Sequence, residues 1–316
     1  MRRAFFIVGP TATGKSELAA DVAGEIGAEI VSADAFQIYR GLDLLTAKPD
    51  ASTLAKAPHH LIGTAPLHEE MNAEKYRCAA TRAIGEINSR GKLAMVVGGS
   101  GLYIKALTHG LAPLPEADPT LREQLNAMSL DELRSRLTQL DPEAGRTIDT
   151  KNRRRVVRAL EICLLTGKPA SEVVAAGADR GLPKSSAFAK ATADKPIPAT
   201  GVFVLRDREE LYQRINQRVE AMFECGVIEE VRAAGLTGAT ASQMIGLREI
   251  RELLDGKISL LQCIAEIQQA TRRYAKRQLT WFRRQTNFLP LNLSLLSRNE
   301  ARILLRMLSE ARTRDD

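Results

Sequence analysis

The run Gly9-Pro10-Thr11-Ala12-Thr13-Gly14-Lys15-Ser16 constrains this chain more than any other feature. It matches G-x-x-x-x-G-K-[ST] and lies between two segments of different periodicity. Ala4–Val8 is wholly apolar and predicts a buried strand. Over residues 16–26 the spacing turns helical, with Leu18, Val22 and Ile26 on one face. Strand, glycine loop and helix in that order make a phosphate cradle. The glycines let backbone N–H groups turn inward, and the helix N-terminus adds partial positive charge. Lys15 supplies a full charge, and the Ser16 hydroxyl can ligate Mg²⁺.

Such a loop needs a sheet behind it. Glu29–Ser32 predicts a second buried strand, followed by Asp34. Residues 93–97 predict a third, running into Gly98-Gly99-Ser100-Gly101, and Gly201–Leu205 a fourth. Residues 76–87 read as a helix between them. Short apolar strands alternating with helices predict an α/β fold, a P-loop NTPase-like parallel sheet with flanking helices. Two stretches interrupt the alternation. Residues 111–120 carry three prolines, and residues 181–198 are rich in Pro, Ser, Ala and Lys, as a connection would be. The segment between them reads as helical. The expected organisation is therefore a core of residues 1–118 and 197–316 carrying a helical insertion, 119–196. From Arg208 onward the chain reads as helices, with Ile303, Leu304, Met307 and Leu308 as the packing stripe of the last one.

The formal net charge is +7, which suits a polyanionic partner or simply a mildly basic enzyme; the placement of the charges must decide. On a helical wheel Arg272, Arg273, Lys276, Arg277, Arg283 and Arg284 fall within an arc of about 140°. Ile264, Ile267, Thr271, Tyr274, Gln278 and Phe282 lie on the other side. In the insertion, Arg154, Arg155 and Arg158 share one face, and Val156, Val157, Leu160 and Leu164 the opposite one. Two such faces suit the phosphates of a folded RNA, with a solvated surface as the bland alternative. Aromatic residues make up only 4%, which argues against an aromatic-lined groove for unpaired bases.

Cys78, Cys163, Cys225 and Cys263 include no close pair, so neither zinc spacing nor a disulfide framework is expected. Adjacent His59 and His60 are poorly placed to share a metal and read as turn or core residues. No segment approaches the ~20 apolar residues of a membrane span. The start, Met1-Arg2-Arg3-Ala4-Phe5, has too short an apolar run for a signal peptide. A cytoplasmic protein with reduced thiols is expected.

The loop does not name the reaction. The third strand ends in glycines, so Asp34 is the only good carboxylate at a strand end. In a small-molecule kinase it could help hold Mg²⁺. In a transferase acting on an amine it could accept the proton. It could also merely cap a turn.

The stretch from Ser32-Ala33-Asp34-Ala35-Phe36-Gln37 through Tyr39-Arg40-Gly41-Leu42-Asp43 to Thr46-Ala47-Lys48-Pro49 resembles the tRNA dimethylallyltransferases, also called tRNA isopentenyltransferases. More of that family's blocks follow in order. They are His59-His60-Leu61-Ile62, Val97-Gly98-Gly99-Ser100-Gly101-Leu102-Tyr103, Asn152-Arg153-Arg154-Arg155-Val156-Val157-Arg158-Ala159-Leu160-Glu161 and Thr166-Gly167-Lys168-Pro169. Arg218, Met222, Gly226 and Glu230 come next, then Ile245-Gly246, Thr271-Arg272-Arg273-Tyr274-Ala275-Lys276-Arg277-Gln278 and Thr280-Trp281-Phe282-Arg283. The resemblance covers roughly residues 6–286. The chain departs where the family usually has Ser (Ala35), Gly (Leu45), Asp (Gly63), an aromatic (Leu247) and Thr (Ser100).

The resemblance implies dimethylallyl diphosphate as donor and, as acceptor, N6 of the adenosine just 3′ of the tRNA anticodon. It implies catalysis by Asp34, Ser100 and Arg218, with the donor diphosphate in the Gly9–Ser16 loop and Mg²⁺ on Ser16. Thr13 and Ser100 would wall the channel, and the acceptor base would flip into it. The tRNA contacts implied are Asp34, Ala35, Phe36, Gln37, Ser100, Arg122, Arg154, Arg155, Arg158, Gln243, Gly246, Arg248, Lys276, Arg277, Gln278 and Arg283. A monomer binding the anticodon stem-loop is expected. The main competitor is a small-molecule kinase or nucleotide-binding phosphotransferase, which leaves the basic helices and the insertion unexplained. A non-catalytic RNA-binding protein would not need Lys15, Ser16 and Asp34 together. An enzyme prenylating free AMP or ADP would not need the insertion's arginines.

Overall fold

The computed structural model describes residues 3–112, 114–179, 197–285 and 287–314. The chain divides into two compact units, Met1–His109 with Asp194–Asp316, and Gly110–Ala193. The first unit is built on a parallel sheet of β1 (Ala4–Val8), β2 (Glu29–Ser32), β3 (His59–His60), β4 (Ala94–Gly98), β5 (Gly201–Leu205) and β6 (Phe288–Asn292). The strand order is β3-β2-β4-β1-β5-β6. Each neighbouring pair is parallel.

All five residues of β1 are buried because helices cover both faces of the sheet. Phe6 and Val8 join one core with Tyr76, Ile84 and Phe282. Phe5 and Ile7 join another with Leu18, Val22 and Leu305. That two-sided burial is why the central strands carry no polar alternation. At Gly9 a side chain would place Cβ 2.1 Å from the carbonyl oxygen of Val204, so only glycine lets the loop leave β1 beside β5.

Two strands escaped the sequence reading. β3 has two residues, too few to show a period, and both are histidines. β6 corrects the expectation that the chain is helical beyond Arg208. It reads FLPLN and lies at the sheet edge, where Pro290 costs little because the outer ladder is empty. The last helix, Arg298–Arg314, also differs. Among the described side chains its buried residues are Ala301, Leu305 and Ser309, and Leu308 of the expected stripe is partly buried, whereas Ile303, Leu304 and Met307 are exposed. The face is turned from most of the expected stripe because Ala301 and Leu305, with Leu308 beside them, join the core formed with Leu18 and Val22 of Lys15–Ile26.

The second unit begins at Gly110 rather than at 119. It holds the helices Pro119–Ala127, Leu130–Leu140, Pro142–Thr147, Arg153–Thr166 and Ala170–Asp179. Leu133, Leu137, Val156 and Leu160 form its core. Apart from 197–198, the expected connection at 181–198 lies outside the described residues.

Candidate active site

The phosphate loop is fixed from within and from two neighbouring helices. Lys15 Nζ and Thr13 Oγ1 both donate to the carbonyl of Pro10, each at 3.0 Å. Ala12 and Gly14 take positive φ, 65° and 88°, which turns the loop into the helix Lys15–Ile26. The helix Arg208–Glu224 contributes two arginines one turn apart. Arg214 Nε donates to Ala12 O at 2.9 Å, and an Arg218 terminal nitrogen donates to Thr11 Oγ1 at 2.8 Å. Arg206, just after β5, donates to Thr13 O at 2.9 Å. The sequence reading missed Arg206 and Arg214. The i, i+4 spacing of Arg214 and Arg218 was the available signal.

Asp34 faces this cluster. Its Oδ1 accepts from the N–H groups of Phe36 and Gln37 at 2.9 and 3.2 Å, which pins the turn after β2. Burial pushes Lys15 down to about 8, against the opposing charge of Asp34 and with that of Arg218. Burial also lowers Arg218, and its Nε is buried with no hydrogen-bond partner among the described residues. Three tyrosines complete the surroundings. Burial raises the hydroxyls of Tyr76, Tyr103 and Tyr274, and the Asp34 charge adds to the effect in each. Tyr76 and Tyr103 stack with ring centroids 3.9 Å apart. The Asp34 charge thus acts on two cations, Lys15 and Arg218, and on three tyrosine hydroxyls.

Ser100 bridges the strands that flank this point. Its N–H donates to Ala33 O at 3.1 Å, and its hydroxyl accepts from Ala35 N at 2.9 Å and pairs with Tyr274. Asp34, Ser100, Arg218 and Lys15 therefore come together. Ala35 and Phe36 are half-buried in the same turn. Gln37 is beside them, with its amide nitrogen donating to Ala47 O at 2.9 Å and to Thr46 O at 3.4 Å, so its oxygen is the atom left for a ligand.

The expected tRNA contacts separate into two groups. Lys276, Arg277, Arg283, Gln243 and Arg248 are exposed, as are Arg154 and Arg155 in the second unit. Others are committed inside the protein. Arg122 and Arg158 both pair with Glu161, which is fully buried, and Arg158 also donates to Pro115 O at 2.7 Å. Arg272 is tied to Asn216. Arg248 stays exposed while pairing with Glu249 at 2.9 Å. Gln278 is buried against the phosphate loop, and Gly246 is buried at φ 95°. Leu45 and Leu247 share one apolar cluster, and a Cβ at Gly246 would stand 2.8 Å from Leu45, so both departures are packing changes. Gly63 takes φ 62°.

A parallel sheet with a lysine-bearing phosphate loop after its central strand, and a carboxylate facing that loop, defines a P-loop-type group-transfer enzyme. The family model described as IPP transferase matches residues 37–285, downstream of the loop itself. The chain belongs to that family. It is 43% identical over 283 residues to tRNA dimethylallyltransferase 1 of Citrifermentans bemidjiense, covering 88% of each chain. To the tRNA dimethylallyltransferase of Geobacter sulfurreducens it is 44% identical over 288 residues, again covering 88% of each. The structure of the tRNA isopentenylpyrophosphate transferase from Bacillus halodurans superposes with TM-score 0.71 at 32% identity, over 100% of this chain and 98% of that one. A eukaryotic dimethylallyltransferase acting on tRNA gives TM-score 0.71 at 25% identity, over 92% of this chain and 74% of that one.

Proposed function

We propose that this enzyme transfers the dimethylallyl group of dimethylallyl diphosphate to N6 of the adenosine 3′-adjacent to the anticodon of tRNA. The observation that carries the reading is the Asp34 carboxylate acting on Lys15 and on Arg218, which itself donates to Thr11 of the phosphate loop. The C1–O bond of the donor breaks, and the electron pair leaves with diphosphate. Lys15, Arg218 and the loop amides stabilise that growing charge, the largest single effect such a site offers. The new bond forms between C1 and N6, and the N6 proton passes to the Asp34 carboxylate. An exocyclic amine is a poor nucleophile, so this removal matters. The oxygen of Gln37 accepts the second N6 hydrogen, because its amide nitrogen is engaged by the carbonyls of Thr46 and Ala47. The half-buried Tyr274 ring, hydrogen-bonded to Ser100, gives the site an apolar surface suited to a five-carbon chain.

Mg²⁺ fits the donor set. The Ser16 hydroxyl, in the first turn of the helix Lys15–Ile26, would hold the ion together with diphosphate oxygens and water. Held there, the ion would supply positive charge to the leaving group. The exposed Lys276, Arg277, Arg283, Arg154 and Arg155 serve RNA phosphates. Localisation in the cytoplasm and a monomeric state belong to the same reading.

The test is incubation of the enzyme with tRNA, Mg²⁺ and dimethylallyl diphosphate, followed by mass spectrometry of the nucleosides. Adenosine heavier by one dimethylallyl group, formed in intact tRNA but not from AMP or ADP, is the expected result. Phosphoryl transfer from ATP with no prenylated nucleoside would establish the kinase instead.

A further inference from the structure

Gln278 follows two exposed cations, Lys276 and Arg277, on the helix Leu260–Phe282, yet it is only 5% exposed. Its Oε1 accepts from Thr11 N at 2.9 Å, and its Nε2 donates to Gly99 O at 2.8 Å. One side-chain amide thus ties the phosphate loop after β1 to the turn after β4. These loops follow adjacent strands, and they carry the donor site and Ser100 respectively. Gly99 explains how the amide fits. A Cβ there would stand 2.2 Å from Gln278 Nε2 and 2.8 Å from Gly9 O. Few side chains can replace the group. Glutamate only accepts, lysine only donates, methionine does neither and asparagine is shorter.

We propose that Gln278 is a positioning residue for the donor loop rather than an RNA contact. It holds the Thr11 peptide in place, and the Thr11 hydroxyl in turn receives Arg218. Removing it frees the loop to move away from the Gly99–Ser100 turn. The diphosphate site then loses its fixed distance from Asp34 and Ser100. The proposal rests on the loop being the diphosphate site.

The test uses the full chain and inorganic pyrophosphate, the leaving group, as probe. Its dissociation constant is measured by calorimetry for wild type, Gln278→Met and Gly99→Ala. Steady-state KM values for donor and tRNA are measured alongside. Gln278→Met loses both hydrogen bonds while keeping the length of the side chain. Pyrophosphate affinity should fall, and donor KM rise, roughly tenfold in both variants. The KM for tRNA should stay within roughly twofold. Amide exchange at Thr11 should be slow in wild type and fast in Gln278→Met; the wild-type half of that measurement needs no variant to fold. Donor KM unchanged while the melting temperature falls would make Gln278 a packing residue and overturn the proposal. A rise in tRNA KM alone would place the amide on the RNA and overturn it too. Failure of the wild type to bind pyrophosphate would instead sink the loop assignment, and this inference with it.

Discussion

Lys15 meets opposite demands before and after the donor binds. Without a phosphate, burial favours its neutral form and pushes it down to about 8, despite Asp34. A bound diphosphate favours the cation. Between pH 8 and the ordinary value of 10.5, binding should therefore draw a proton onto Lys15. Pyrophosphate calorimetry at pH 9, in buffers of different ionisation enthalpy, should show greater proton uptake than in Lys15→Met, by up to about one proton. Uptake equal in the two proteins would remove Lys15 from the site. The sign for folding is separate. In the same window the folded chain releases this proton while the unfolded chain keeps it, so this group makes the fold more stable as pH rises through 8. Asp34→Asn should keep pyrophosphate affinity and lower single-turnover rate by about 10²–10⁴, since an amide cannot accept the N6 proton. A rate near wild type would show that Asp34 only caps its turn. The loop and Asp34 were legible because their chemistry is local in sequence. Arg206, Arg214 and the buried state of Gln278 were not, because they reach the loop from about 200 to 267 residues away.

Helical wheels place residues on faces but say nothing about which charges meet across elements. The insertion shows this. Arg154, Arg155 and Arg158 read as one basic face, yet Arg158 turns to Glu161 one turn along its own helix, where Arg122 arrives from Pro119–Ala127. Glu161 is fully buried, so these arginines compensate an interior carboxylate. Arg158→Ala should lower stability by about 1–3 kcal/mol, less than loss of a sole partner because Arg122 remains. Arg154→Ala should change it by no more than about 0.5 kcal/mol. Urea unfolding of the two variants checks this, and equal midpoints would mean that Glu161 is indifferent to Arg158. The sheet carries a parallel case. Burial raises the Glu29 carboxyl, but hydrogen bonds from Arg90, His60 and Lys92 outweigh it and leave it at about 2. Its contribution is present above the unfolded value of 4.5 and is lost as pH falls from 4.5 towards 2. Glu29→Gln should therefore flatten the acid limb of stability between those values. An unchanged acid limb would assign the loss to other carboxylates. Both clusters join residues far apart in the chain, which no local pattern reports.

At the scale of the whole molecule the question is what the net charge of +7 is for. The alternating strands made the sheet readable, and prolines marked the approach to the insertion. The edge strands β3 and β6 lacked a period to read. The purpose of the charge turns on which cations stay free once the interior pairs are removed. Arg122, Arg158 and Arg272 are committed within the protein. Lys276, Arg277 and Arg283 in the first unit, and Arg154 and Arg155 in the second, are exposed. Each neutralised phosphate releases condensed counterions, so affinity for an anticodon stem-loop should fall linearly on a log–log plot against salt. Neutralising Lys276, Arg277 and Arg283 together should weaken binding at low salt and flatten the slope by about 0.7–0.9 for each phosphate left without its cation. Arg154→Ala with Arg155→Ala should do the same on a smaller scale. Pyrophosphate affinity should be unaffected in both, because these residues lie outside the loop. The experiment is a filter-binding titration at several salt concentrations with wild type and both variants. Unchanged slopes would reduce the two faces to solvated surface, and tRNA recognition would then have to rest on the residues around Asp34 and Gln37.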